Sequence, residues 1–250
     1  MLNYIIRRIL YTIPIAIGVS LVVFALVHLA PGDPLSAVVG EVDQKMLAEM
    51  RASFGYDKPL PVQYLFWLGS ALTGDMGYSL RTGVPVFKTL IDAATNTITI
   101  GVAAALLGFV VGVTMGMLAG YNHGARLDKT VSSATITGVS IPPYWLAILL
   151  VIVFSVQLGW LPSMGAGAPT SMWSWDAWKH MILPIIALAA IPCAIVARTA
   201  RACVMETLSQ EFVEALRARG LSERRILLHV SRNALPTVLA VMGLQFAHLL

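Results

Sequence analysis

Residues Ile98 to Leu118 read ITIGVAAALLGFVVGVTMGML, an apolar run without a charged side chain. A helix needs about 20 apolar residues to cross a bilayer, so this run predicts a membrane span. Glycine recurs at every fourth position, at Gly108, Gly112, Gly116 and Gly120. Residues four apart share one helix face, and small residues let a second helix approach closely in lipid. We interpret the glycines as a helix-packing face; the alternative is a face that lines a substrate path.

Three other long apolar runs have the same character, and a further one begins near the end of the chain. They are residues Ile9 to Leu29, Ile136 to Leu158, Ile182 to Ala197, and Thr237 to Leu250. The chain is 57% hydrophobic and 12% charged, with a mean hydropathy of +0.77, which leaves too few charges to cover a soluble domain. We therefore predict an all-α polytopic membrane protein. The last run is too short for a span, so we expect about five to six transmembrane helices natively, with the last missing from this chain.

Cationic residues lie on alternate connections between these runs. Arg7 and Arg8 precede the first run, and Arg126 and Lys129 lie between the second and third. The connection between the fourth and fifth runs holds Arg198, Arg201, Arg217, Arg219, Arg224, Arg225 and Arg232. Cytoplasmic loops carry the excess of lysine and arginine, so we predict a cytoplasmic N-terminus. The net charge of +4 is therefore explained by the orientation of the chain in a membrane. We expect membrane lipid as a partner and no nucleic acid.

The chain divides into three parts. Residues 1–30 hold the N-terminal segment and the first span, residues 31–97 are expected to form an extracytoplasmic helical cap, and residues 98–250 hold the core helices, including a charged cytoplasmic segment at 206–236. The cap is predicted to be helical because apolar residues recur at helical spacing in Asp43 to Phe54 and in Val62 to Leu72.

Prolines interrupt two of the predicted spans. Pro142 and Pro143 lie in the third run, and Pro184 and Pro192 lie in the fourth. Proline removes a backbone donor and bends a helix, and neighbouring helices can satisfy the carbonyls that it frees. Plain kinks and a gate or substrate-facing break are both open interpretations.

The charged segment predicts two short helices that meet at a corner. Ser209 is expected to cap a helix of Gln210 to Arg219, with Glu211 in its first turn, and Gly220 is placed as its left-handed C-cap residue. Ser222 then caps the second helix, and Leu221 is expected to be exposed at the tip. This hairpin either docks in a groove of a partner or lies as an amphipathic connector on the inner headgroups.

Glu214, Ala215 and Gly220 resemble the "EAA" coupling loop of ATP-binding-cassette (ABC) importer permeases, although Leu216 stands where that motif has a second small residue. The likeness to the dipeptide, oligopeptide and nickel branch extends along the chain. Its other elements are Pro31-Gly32-Asp33-Pro34, Asp57-Lys58-Pro59-Leu60, Gln63-Tyr64, Gly74-Asp75-Met76-Gly77, Leu158-Gly159-Trp160-Leu161-Pro162, Arg232-Asn233-Ala234 and Gly243-Leu244-Gln245. The subgroup that it resembles is the first permease of a dipeptide or glutathione system.

The resemblance implies a type I ABC importer permease fold in a bacterial cytoplasmic (inner) membrane. It further implies a homologous second permease, two ABC ATPase subunits and an extracytoplasmic solute-binding protein as partners, with a small peptide-like solute such as a dipeptide, an oligopeptide or glutathione as cargo. The residues predicted to couple with the ATPase are Glu214, Ala215 and Gly220, which match the motif, together with Glu211, Leu221 and Ser222, which the predicted hairpin adds.

Motifs that are missing from the sequence bear on the alternatives. The sequence has no Gly-x-x-x-x-Gly-Lys-Ser/Thr loop, so ATP and Mg²⁺ are expected on partner subunits, with no cofactor in this chain and no catalytic residue. Its five histidines share no metal spacing, and its two cysteines form no metal motif. An ion-coupled transporter or channel predicts ionisable residues within the spans, and an intramembrane hydrolase predicts a His-Glu-x-x-His or Gly-x-Ser-x-Gly element. The first four runs contain no charged residue, and neither element occurs.

Overall fold

The computed structural model describes residues 2–29, 57–79, 82–165 and 174–249. Within these ranges the regular structure is helical, with one isolated antiparallel bridge between Tyr78 and Pro85. The helices are α1 (Leu2–Leu29), α2 (Leu60–Leu72), α3 (Val86–Tyr121), α4 (Arg126–Ser140), α5 (Pro143–Leu150), α6 (Trp175–Leu208), α7 (Glu211–Ala218) and α8 (Glu223–Leu249). The helix predicted at Asp43 to Phe54 and the Pro31 to Pro34 element lie outside the described residues. The helix predicted at Val62 to Leu72 is confirmed as α2.

Four of these helices are long and apolar enough to cross a membrane. They are α1, α3, α6 and α8, and a fifth crossing is possible if α4 and α5 act as one bent pair. The prediction of an all-α polytopic membrane protein is therefore confirmed.

The third predicted span, Ile136 to Leu158, is not one continuous helix. The chain bends by 102° between α4 and the helical stretch Pro143–Gln157, whose second half, Val151–Gln157, is π-helical. Ile141 and Pro142 both adopt extended backbone angles, because a residue that precedes proline is disfavoured in the helical region. Two successive prolines thus produce a sharp break where hydropathy alone predicts a straight rod. Pro184 and Pro192, by contrast, lie inside the continuous helix α6.

The fifth run and the second predicted short helix are one element. Helix α8 begins at Glu223 and continues through Pro236 to Leu249. The prediction of two short helices is therefore wrong for the second one, since a single internal proline removes only one backbone donor and is tolerated in a membrane helix. The hairpin is joined directly to a span.

The chain separates into two compact units, Met1–Ala93 and Ala94–Leu250. In the first unit, α2 packs on α1 through aromatic side chains. Tyr64 is buried, its hydroxyl lies 2.8 Å from the Ser20 Oγ, and the ring centroid of Phe24 lies 5.4 Å from that of Tyr64 and 6.3 Å from that of Trp67. Tyr64 is therefore the anchor of α2.

Helix α6 is the centre of the second unit, where α4, α5 and α8 all contact it. Half of its most apolar stretch is buried, compared with 28% for α3 and 22% for α8. Its buried residues are mostly small or β-branched, which lets several helices pack around it. They include Ala187, Ala189, Ala194, Val196, Ala197, Ala200 and Val204.

The four glycines of α3 lie directly against the backbone of α6. A Cβ atom added at Gly108 would lie 2.9 Å from the carbonyl oxygen of Ala189, and one at Gly112 would lie 2.7 Å from that of Cys193. Gly116 meets Ala197 and Gly120 meets Arg201 in the same way. We call this contact the glycine seam. It leaves no room for even a methyl group between the two helices.

Candidate functional site

Helices α7 and α8 form a hairpin, residues 211–236, with its corner at Gly220. Gly220 has a φ of +75°, the left-handed value expected there, which favours glycine. Its N–H donates to the Arg217 carbonyl at 2.9 Å, and the Leu221 N–H donates to the Leu216 carbonyl at 3.2 Å. This pair of hydrogen bonds is a Schellman motif, which ends α7 and fixes the direction of α8.

The inner side of the hairpin rests on a hydrophobic cluster. The cluster consists of Val204, Val213, Ile226, Val230 and Ala234. Leu216 and Leu221 are partly buried against it, so the prediction that Leu221 is exposed at the tip is wrong. The Schellman motif brings the residue after the glycine back onto the last turn of the helix, which directs Leu221 inward onto Leu216.

The start of α7 also differs from the prediction. Gln210 occupies the N-cap position and makes no side-chain capping bond. Ser209 instead ends α6, where its hydroxyl donates to the Glu206 carbonyl at 2.8 Å. A serine between two helices can hydrogen-bond to the end of the first or to the start of the second, and here it bonds to the last turn of α6.

The outer side of the hairpin carries the other predicted coupling residues. Those that are exposed are Glu211, Glu214, Ala215, Gly220 and Ser222. Glu211, Glu214 and Ala215 are three and four positions apart and therefore share one face of α7, while Phe212, Val213 and Leu216 face the cluster. The helix thus presents an anionic, small-residue face outward.

A carboxylate ties the hairpin to the end of α3. The Tyr121 hydroxyl donates to Glu223 Oε2 at 2.7 Å, and Arg217 Nε donates to Glu223 Oε1 at 3.3 Å. Glu223 thereby connects three helices at once: its own α8, α7 through Arg217, and the last residue of the glycine-bearing α3. Because both charged side chains are about half exposed, the link orients the hairpin more than it stabilises the fold.

A partly buried ion pair lies near the hairpin, between α4 and α6. The Asp128 side chain is 4% exposed and pairs with Arg201, whose Nε and terminal nitrogen donate to its two carboxylate oxygens. The carboxylate also accepts the Gly124 N–H at 3.0 Å and the Ser132 hydroxyl at 3.3 Å, and the Nδ1 of His123 lies 3.1 Å from it. We call Asp128 and Arg201 the α4–α6 pair.

Sequence reasoning missed the α4–α6 pair and treated Arg201 only as one of several cytoplasmic cations. A signal was present in the sequence. Arg201 follows Ala197 by one helical turn and therefore lies on the same face as small residues that pack closely. A cation on a packed face requires an acidic partner, and Asp128 follows the end of the second apolar run by less than three helical turns.

Two openings flank the α4–α6 pair. An open cleft of about 740 Å³ is lined by Tyr121 of α3, by His123 of the connection that follows it, and by residues of α6 that include Arg201 and Glu206. A smaller cavity of about 190 Å³ lies between α4 and α6 and is lined mainly by apolar atoms. Among the residues that the structure describes, no group of three histidine, cysteine or acidic side chains is placed to hold a metal ion.

Comparison with known proteins identifies the family. Residues 112–250 match the family described as "Binding-protein-dependent transport system inner membrane component", and residues 1–101 match the family of its N-terminal region. The chain is 33% identical to the dipeptide transport system permease protein DppB of Escherichia coli K12 over all of this chain and 81% of that protein. It is 37% identical to the di/tripeptide transport system permease protein DppB of Pseudomonas aeruginosa, again over all of this chain and 81% of the relative.

A third relative is named for a different substrate. The glutathione transport system permease protein GsiC of Escherichia coli K12 is 36% identical over all of this chain and 79% of its own length. These matches run through the first span, the glycine seam and the hairpin alike. The chain therefore belongs to the family of binding-protein-dependent transport system inner membrane components, the multi-pass permease subunits of ABC importers.

Proposed function

We propose that this chain carries a small peptide-like solute across the cytoplasmic membrane and that its hairpin is the docking element for an ABC ATPase subunit. The observation that carries the proposal is the arrangement of the hairpin. Its inner side is fixed on a buried cluster and its outer side presents Glu211, Glu214 and Ala215. A rigid, exposed element joined to two spans is suited to transmit force from a partner.

The seating of α7 argues against the alternative, a connector that lies on lipid headgroups. Such a helix needs a free apolar face to insert into the acyl boundary. In α7 the apolar residues Phe212, Val213 and Leu216 are directed onto the chain's own cluster. The outward face carries the carboxylates of Glu211 and Glu214, which anionic lipids repel. Of the two exposed cations beside this face, Arg217 and Arg219, the first pairs with Glu223.

The rest of the transporter follows from this docking role. A homologous permease completes the pathway, two ATPase subunits bind ATP and Mg²⁺, and a solute-binding protein delivers the cargo from outside. This chain itself binds no nucleotide and performs no chemistry. The hairpin and Arg7 and Arg8 lie on the cytoplasmic side, as the positive-inside rule requires. Relatives named for dipeptides, di/tripeptides and glutathione support a peptide-like cargo.

Reversal of one charge on the outer face tests the docking role. We expect Glu214→Lys to reduce the amount of ATPase retained by the purified permease by at least about tenfold. A reversed charge at an interface can face a charge of the same sign on the partner, which costs several kcal/mol of binding free energy. The measurement is co-purification of the ATPase through a tag on this chain, together with uptake of a radiolabelled dipeptide and of radiolabelled glutathione. Asp92→Lys, at an exposed position of α3 far from the hairpin in sequence, is the matched control.

The same experiment separates the two interpretations of the hairpin. A helix that rests on anionic lipid gains affinity from an added lysine. A Glu214→Lys variant that inserts normally and keeps both the ATPase and full uptake contradicts the docking role.

A further inference from the structure

The α4–α6 pair is built to hold one geometry. Asp128 is buried and its carboxylate receives donors from α6, from its own helix and from the connection at residues 122–125. Two of these donors come from the guanidinium of Arg201, whose planar fork matches a carboxylate in one orientation. Loss of one member leaves the charge of the other uncompensated, and for Asp128 that charge is buried.

Arg201 lies on the helix that runs into the hairpin. Helix α6 continues without a break from Arg201 to Leu208, and α7 begins three residues later at Glu211. Val204, less than one turn after Arg201, belongs to the cluster beneath the hairpin. A displacement of the hairpin is therefore a displacement of Arg201.

Asp128 lies on the helix that runs into the sharp break. It occupies the first turn of α4, and α4 ends at Ser140, immediately before the 102° bend at Pro142. The pair thus connects the helix that leads to the hairpin with the helix that leads to the broken span.

The two helices are packed incompletely beside the pair. The cavity of about 190 Å³ is bordered by Val131, Thr135 and Ile136 of α4 and by Ala197 and Arg198 of α6. The glycine seam on another side of α6 admits no added atom at Gly108, Gly112, Gly116 or Gly120 without a clash. Helix α3 is therefore in continuous contact with α6. Helix α4 meets α6 at its first turn through Asp128 and again near its end, where a Cβ atom added at Gly138 would lie 3.4 Å from that of Ala194, and the cavity lies between these two contacts.

We propose that Asp128 and Arg201 form a joint through which movement of the hairpin reaches the break at Pro142, by holding the start of α4 on α6 so that the two helices move together. Both are positioning residues: they touch no substrate and act by holding α4 on α6. The inference rests on the proposed function, in which the ATPase moves the hairpin. Because α4 is fixed to α6 at Asp128 and packs on it again at Gly138, α4 follows α6 and carries the movement to the break.

The test uses the assembled transporter, purified through this chain and reconstituted in liposomes. The variants are Asp128→Asn, which removes the charge, and Arg201→Lys, which keeps the charge but loses the fork. The ratio of dipeptide or glutathione uptake to ATP hydrolysed is measured, together with the distance distribution between spin labels at the exposed positions Ser133 of α4 and Ala202 of α6. Asp92→Asn is the control for the loss of one carboxylate.

We expect both variants to keep the ATPase and to hydrolyse ATP, while uptake per ATP falls several-fold and the Ser133–Ala202 distribution broadens. Arg201→Lys is expected to be the milder, which keeps the test open if Asp128→Asn inserts poorly. If Arg201→Lys shows wild-type uptake per ATP and a narrow Ser133–Ala202 distance distribution, the joint is overturned. Loss of the ATPase from that variant also overturns it, because the pair would then act in docking. If Glu214→Lys also keeps the ATPase and full uptake, the proposed function itself fails.

Discussion

At the scale of single residues, the hairpin depends on one backbone conformation. Gly220 has a φ of +75°, and both hydrogen bonds of the Schellman motif form only with that value. The space around its Cα is open, so the requirement for glycine comes from the backbone and not from crowding.

We expect Gly220→Val to be severe and Gly220→Asn to be mild. A residue with a Cβ in the left-handed region costs about 1–2 kcal/mol, a β-branched one suffers most, and asparagine is tolerated there. The measurement is ATPase co-purification together with solute uptake in cells that insert each variant. Gly69→Val, in the open middle of α2, is the control for the substitution itself. Equal retention of the ATPase by Gly220→Val and Gly220→Asn contradicts a role for the corner geometry.

The sequence predicted some residues of the hairpin and missed others for a physical reason. The left-handed conformation of Gly220 was predictable because a glycine directly after a helical pattern and before a second one is typical of a helix C-cap. The inward turn of Leu221 was not, since it depends on the cluster residues Val204 and Val230, which lie outside the turn. Asp128 and Arg201 are 73 positions apart, and only the packing of α4 on α6 brings their charges together.

At the scale of elements, the contact between α3 and α6 sets what the second unit can do. Four glycines of α3 oppose four backbone positions of α6, and in both helices these positions are four residues apart. The two backbones are therefore in contact over more than three turns, and the pair is expected to move as one body.

We expect Gly112→Leu and Gly116→Leu to harm assembly more than substrate choice. Overpacking a close contact costs about 1–3 kcal/mol even where neighbours can shift, and here the opposing atoms are backbone. The measurement is the yield and thermal midpoint of the detergent-extracted permease. Val110→Leu, on an exposed face of the same helix, is the matched control. Normal yield with an altered preference between a dipeptide and glutathione shows instead that this face lines the pathway.

Hydropathy predicted the spans well and their ends poorly. The run Ile98 to Leu118 became α3 with twelve more residues at its start and three at its end, because polar residues such as Lys88, Asp92 and Asn96 lower the hydropathy of the start without ending the helix. Hydropathy did not predict the break at Pro142, since two prolines do not lower the apolar content of the run enough to divide it. Proline position, rather than composition, decides that element.

At the scale of the whole molecule, the order of contacts along the seam constrains the path of the chain. Residue numbers rise together on α3 and α6, from Gly108 opposite Ala189 to Gly120 opposite Arg201, so these two spans run parallel. Two parallel spans require an odd number of crossings between them. The bent pair α4 and α5 therefore makes a single crossing, which resolves the count of four or five candidate spans in favour of five.

The sidedness of the molecule is testable by labelling. We expect a cysteine at Ser70 of α2 to react with an impermeant thiol reagent in intact cells, and one at Ser222 of the hairpin to react only after permeabilisation. Both serines are exposed, and the positive-inside rule places them on opposite sides. The two native cysteines, Cys193 and Cys203, are replaced first so that they do not contribute. Labelling of Ser70→Cys only from the cytoplasm contradicts the predicted orientation.

Helix α8 continues without a break from the hairpin corner into the membrane, so a movement of its first turn is transmitted along its whole length. At 1.5 Å per residue, its 27 residues form a rod about 40 Å long. A shift of one helical turn, about 5.4 Å, at the hairpin end tilts such a rod by roughly 8° if its far end stays fixed. A small displacement on the cytoplasmic side is thereby converted into an angular change of the part of α8 that follows the hairpin, with no flexible linker in which the motion is lost.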